Sequence, residues 1–224
     1  MSLFVTHGRN KLALHRLREG DGRALLLLHG LGDQAPEAVP AACAAWPGPV
    51  FGLDFTGHGQ SSIPHGGGYT AEILMGDVDA GLALLGETTV VGYGLGGYIA
   101  LLIGGGRPEL VRGAVIADGR GLAGGGDEPG PIVVRGVPER HEPPDPFAMV
   151  ELSDDLRPAE YAESFARLAV RGSSLKEPLA VAAAARPDWL KAVLGVSGVV
   201  ERPVEDALAA FAEVNPEAPQ SAQT

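Results

Sequence analysis

From Ala24 to Leu28 the chain is apolar without a break, and the run stops at His29-Gly30. A strand of this kind cannot keep one face in water, so it belongs inside a mostly parallel sheet covered on both sides. Parallel neighbours need long crossovers, usually helical. The next stretches supply them. Pro36 suits a first helical turn, with Val39, Cys43 and Trp46 on one helical face, and Pro49 to Leu53 reads as a second buried strand. Thr70 reads as an N-cap, followed by a stripe of Leu74, Val78, Leu82 and Leu85 that ends at Gly86. Thr88 to Val91 is the next strand, Gly97 to Gly104 the next helix, and Gly113 to Ala117 a strand ending at Asp118. This alternation predicts an α/β fold with right-handed crossovers and a doubly wound, mostly parallel sheet. Its ligand site is expected at the carboxyl ends of the strands.

Ahead of the first inner strand, Leu3 to Val5 and Lys11 to Leu17 flank Gly8-Arg9-Asn10 and read as an antiparallel hairpin. Between Gly119 and Pro146, glycine and proline interrupt every apolar run, so a long irregular segment is expected there. A helix is expected to start near Pro158, with Tyr161, Phe165 and Leu168 sharing a face, then a strand at Leu179 to Ala183. A short helix around Trp189, a strand near Val199 and a last helix carrying Val204, Leu208 and Phe211 complete one domain, 1–214. Residues 215–224, rich in Pro, Gln, Ala and Ser, are expected to be disordered.

Composition narrows the function classes. A formal net charge of -11 and no cluster of Lys and Arg argue against a nucleic-acid surface. Cys43 is the single cysteine, and the first residues lack a basic stretch followed by a long apolar one, which points to a cytoplasmic setting. Thr88 to Gly106 carries no charge and approaches the length of a membrane span, but its seven glycines fit a strand, a tight turn and a buried helix better. No histidine or cysteine spacing suggests a metal, and no cofactor is expected. The tract Gly92 to Gly97 has the form G-x-G-x-G-G, with Asp118 at a distance that suits a dinucleotide fingerprint. That fingerprint, however, belongs to a first βαβ unit.

Three motifs stand at strand ends in order: His29-Gly30-Leu31-Gly32, Asp54-x-x-Gly57-His58-Gly59-x-Ser61, and Gly92-Tyr93-Gly94-Leu95-Gly96-Gly97. Together they resemble the α/β-hydrolase family, in its esterase, lipase and perhydrolase-like branch. The resemblance implies a sharp strand-to-helix elbow whose central side chain is the nucleophile. Here that residue is Gly94, which has no side chain to attack a carbonyl. The family's base, a histidine after the last strand, is also missing: Val199 is followed by Glu201-Arg202-Pro203, and the last histidine is His141. Asp188 lies after the strand where the family often has its acid and Asp118 ends the preceding strand, although without a histidine to orient either reads as a helix cap or a turn residue. His29, His58 and His141 are the remaining candidates for proton transfer, and His29 and His58 read first as structural hydrogen-bonders in motifs that shape the loops. What the resemblance leaves intact is a backbone oxyanion hole, from Leu95 N–H and that of Leu31 or Gly32. A ligand at the elbow would touch Gly30, Leu31, Gly32, Tyr93, Gly94 and Leu95.

Two functions from different classes follow. One is a protein that has lost serine-hydrolase activity and binds a small carbonyl-type ligand, a protein partner or a second copy of itself, as the similar N-myc downstream-regulated family also lacks the elbow nucleophile. The other is a slower hydrolase or lyase acting on a small ester or carbonyl compound by acid–base chemistry.

Overall fold

The computed structural model describes residues 2–129, 136–137 and 142–213. Its centre is an eight-stranded sheet built from β1 (Ser2–His7), β2 (Asn10–Arg18), β3 (Ala24–Leu28), β4 (Val50–Leu53), β5 (Thr88–Tyr93), β6 (Val111–Ala117), β7 (Leu179–Val181) and β8 (Val199–Glu201). The spatial order is β1-β2-β4-β3-β5-β6-β7-β8. The hairpin β1-β2 and the β2-β4 pair are antiparallel, and every pairing from β4 onwards is parallel. The strand order reverses between β3 and β5, which opens a crevice at their carboxyl ends.

The unbroken apolar run does what its composition demands. Leu26 and Leu28 face one core layer with Val90 and Ile116, while Leu25 and Leu27 face the other with Val91 and Val115. Helices α1 (Ala71–Leu85), α2 (Leu95–Gly106), α3 (Pro146–Asp154), α4 (Ala159–Gly172) and α5 (Asp188–Leu194) contribute to the first layer. Only α6 (Val204–Glu213) and the single turn Ala41–Cys43 contribute helical residues to the second. The Thr70 side chain caps α1 by accepting from Ile73 N–H.

One local expectation needs correction, and two helices show more than the sequence pattern implied. The stripe Val39, Cys43 and Trp46 does pack against the second layer, but prolines at 36, 40 and 47 leave only the 3-10 turn Ala41–Cys43 where a helix was expected. In α4 the buried face is Ala162, Ala166 and Ala169, with Tyr161 and Leu168 exposed and Phe165 half-buried. The small face lets α4 approach α2 closely: a Cβ on Gly105 would come within 2.5 Å of Phe165 O. Finally, α3 begins at Pro146, where the expected irregular segment ends, in a stretch for which no element was expected, and is capped by Asp145, which accepts from Phe147 N–H with Pro146 in the first turn. The expected disordered tail, 215–224, lies outside the described residues.

No described helix is long and apolar enough to cross a membrane.

Candidate functional site

The turn from β5 into α2 has the elbow's backbone. Gly94 is at φ 59° and ψ -119°, in the left-handed half of the map where a side chain is strained. Gly96 is held to a close approach, since a Cβ there would lie 2.5 Å from Leu28 O. Every N–H at the start of α2 is satisfied: Gly96 donates to His29 O (3.1 Å), Gly97 and Tyr98 donate to Gly94 O, and Leu95 donates to Arg120 O (2.9 Å).

The last of these bonds determines what the site can do. Leu31 N–H also donates to Arg120 O, at 3.0 Å. The two backbone donors expected to form the oxyanion hole therefore converge on one oxygen, and it belongs to the chain itself. The segment Gly119-Arg120-Gly121, just past β6, lies over Gly94. A Cβ on Gly94 would overlap the Arg120 carbonyl oxygen and sit 2.5 Å from Gly119 C and 2.6 Å from Arg120 N. The space a nucleophile would need is filled by backbone.

Several contacts hold this plug. Arg120 Nη1 donates to Asp33 Oδ1 (3.2 Å), an exposed pair that contributes little stability. The larger restraint is Arg157, buried at 1% exposure, whose Nη1 donates to Gly121 O (2.7 Å) and Leu122 O (2.5 Å). Trp189 Nε1–H donates to Leu122 O as well, at 3.0 Å. The Arg157 guanidinium lies 4.5 Å from the centre of the Tyr98 ring, and desolvation lowers its pKa to about 10.

The candidate histidines are spent on backbone. His29 Nε2 accepts Phe55 N–H (3.1 Å) and its Nδ1–H donates to Gly30 O (2.7 Å). His58 Nε2 accepts Gly32 N–H (3.2 Å), which also removes Gly32 as an oxyanion donor, and its Nδ1–H donates to Thr56 O (3.2 Å). Both rings are buried, and desolvation pushes both pKa values down; for His29 the neighbouring His58 adds to the shift. Asp118 Oδ2 and Oδ1 accept from Ala184 N–H (2.6 Å) and Ala185 N–H (3.0 Å), tying the end of β6 to the loop after β7. Asp188 is exposed in the first turn of α5 and pairs with Lys191. His141 lies outside the described residues.

Among the described residues no cluster of His, Cys, Asp and Glu could hold a metal ion. Beside the plug, at the crevice between β3 and β5, an open cleft of about 350 Å3 is lined chiefly by Leu27, Leu28, Pro36, Pro40 and Tyr93, with Asp33 and Gln34 at its polar edge. Sequence reasoning singled out Gly94, Leu31 and Leu95 but missed Arg120 and Arg157. A main-chain acceptor has no residue signature, and the flanking pair Gly119 and Gly121 was the only trace of a tight passage.

A sequence profile of the alpha/beta hydrolase family matches residues 25–219. No curated protein sequence matches the chain. Among solved structures it is similar to a thioesterase domain from the curacin biosynthetic pathway (15% identity, TM-score 0.69, 95% of this chain and 97% of that one). It is also similar to a serine-to-alanine variant of N-formylmaleamic acid deformylase from Pseudomonas putida S16 (15% identity, TM-score 0.66, 92% and 93%). A third similar structure, an epoxide hydrolase from Vigna radiata, aligns at 22% identity and TM-score 0.47, over 52% of this chain and only 37% of the hydrolase's length.

Proposed function

Because this chain belongs to the α/β-hydrolase family, we propose that it is a member whose elbow is withdrawn from nucleophilic catalysis and which acts by binding a small, largely apolar ligand beside the elbow. One observation carries the reading: the Arg120 carbonyl oxygen accepts from both Leu31 N–H and Leu95 N–H. In acyl transfer these donors must be free to receive the charge that develops on a substrate oxygen. Here they are satisfied before any ligand arrives, and a carbonyl ligand would have to displace the chain's own. Gly94 supplies no attacking atom. Both nitrogens of His29 and of His58 are engaged with backbone partners, which leaves neither ring a free nitrogen for acid–base work at the elbow. The thioesterase and deformylase that the chain resembles are named for acyl chemistry, and the plug stands where such chemistry would take place.

The ligand seat on this reading is the cleft at the strand-order reversal, lined by Leu27, Leu28, Pro36, Pro40 and Tyr93. Crevices at such reversals are the general binding place of open α/β sheets, and the apolar walls favour a ligand with little charge.

The test is to restore the missing hydroxyl. In folded Gly94→Ser, turnover of p-nitrophenyl acetate is expected to stay at the parent rate, because among the described residues the new side chain meets no free base and no free oxyanion donors. A gain of about 100-fold or more, the lower range of general-base assistance, would overturn the reading.

A further inference from the structure

Away from the elbow, the antiparallel edge of the sheet assembles a hydroxyl, an imidazole and a carboxylate in line. Ser2 and His15 are register partners on β1 and β2, so their side chains share a face. Ser2 Oγ lies 3.0 Å from His15 Nδ1, and His15 Nε2 lies 2.8 Å from Asp54 Oδ2, just past the end of β4. The carboxylate is fixed on three sides, since Oδ1 also accepts Ala35 N–H (2.7 Å) and Oδ2 also accepts Gln60 N–H (2.8 Å). A carboxylate has no hydrogen to give. In the neutral imidazole the proton of this contact is therefore on Nε2, which leaves the lone pair of Nδ1 to accept Ser2 Oγ–H. The Asp54 side chain is 2% exposed and that of His15 17%, so the relay is anchored at its acid end and reachable at its base. His15 and Asp54 also line a cleft of about 260 Å3 with Gln34, Pro36, Glu37 and Gln60.

A serine hydroxyl gains nucleophilic character from an oriented base within hydrogen-bond reach, and a base gains orientation from a third group on its other nitrogen. Both conditions are met here. We propose that Ser2 is a reactive hydroxyl that accepts an acyl group from activated acyl donors, namely esters or thioesters with good leaving groups, with His15 as its base and Asp54 holding His15 in place. In the step, Ser2 Oγ bonds to the acyl carbon as its proton passes to His15 Nδ1. The bond to the leaving group then breaks, and the departing oxygen or sulfur takes the electron pair and recovers that proton. The imidazolium that forms in between faces the Asp54 carboxylate. The proposal is independent of the closed elbow and stands or falls without it.

The probe is a fluorophosphonate, with which Ser2 Oγ forms a bond to phosphorus and fluoride leaves. The full chain, carrying any tag at its carboxyl end, is incubated with it, and the adduct is mapped by peptide mass spectrometry. One adduct is expected, on Ser2, absent in Ser2→Ala and formed at least about 100-fold more slowly in His15→Gln. No adduct, an adduct only at another serine, or an unchanged rate in folded His15→Gln would overturn the proposal. If His15→Gln does not fold, the Ser2→Ala comparison decides alone, because it removes one oxygen from the edge of the sheet.

Discussion

At Gly94 one absent Cβ carries two consequences, one chemical and one mechanical. Chemically, there is nothing to attack with. Mechanically, the backbone keeps the positive φ of an elbow (59°), and the chain of Gly119 and Arg120 occupies the volume that a side chain would take. Glycine tolerates that φ without strain, whereas alanine there is strained by about 1 kcal/mol. Forcing a methyl group into filled space adds a further ~1–3 kcal/mol. Gly94→Ala is therefore expected to destabilise the protein by about 2–4 kcal/mol, read as a lowered urea midpoint with an unchanged slope. An unchanged or raised midpoint would show that neither the elbow conformation nor the plug is as described. The residues that the motifs singled out at the elbow were legible because their types are unusual: Gly-x-Gly-x-Gly-Gly after a β-branched run admits few conformations. His29 and His58 were legible as structural hydrogen-bonders of the motif loops, but not in their partners, because which backbone groups their nitrogens meet is settled by loops distant in sequence.

Among the elements, the plug behaves as a strap between β6 and the start of α4. Arg157, just before α4, holds it at Gly121 O and Leu122 O, while its Nε and Nη2 have no partner among the described residues. Two effects compete on replacing it. Losing charged hydrogen bonds costs ~1.5–3 kcal/mol each, whereas removing unpaired buried donors returns part of that. Two bonds outweigh the return, partly because Gly121 O would be left without this donor. Arg157→Met, which keeps the apolar stem, is expected to lower stability by about 1–3 kcal/mol and to speed amide exchange at Leu31 and Leu95. Equal stability with unchanged exchange would mean that the strap is held by something else. Element-level reading of the sequence failed where two patterns competed. The stripe of Val39, Cys43 and Trp46 was real, but the prolines around it decided the backbone. In α4 the shared face of Tyr161, Phe165 and Leu168 was legible, but close packing against α2 put the alanines in the core instead. The start of α3 carried its own signal, Asp145-Pro146, which the surrounding glycines and prolines obscured.

For the molecule as a whole, the sheet was legible because uninterrupted apolar runs such as Ala24–Leu28 have few other uses, and the order of motifs at strand ends matches the family to which the chain belongs. The closure of the site was not legible, because it is made by one main-chain oxygen of the loop after β6, which meets donors that follow β3 and β5. That oxygen is the centre of the account: the fold retains the hydrolase framework, and the N–H groups of Leu31 and Leu95 are bonded within their own chain. Scalar couplings across hydrogen bonds, measured by NMR on deuterated, 13C- and 15N-labelled protein, detect such a contact directly. Correlations from Leu31 N and from Leu95 N to the Arg120 carbonyl carbon are expected in the ligand-free protein. Their absence, together with rapid solvent exchange of both amide protons, would contradict the account and return the two donors to an open oxyanion hole.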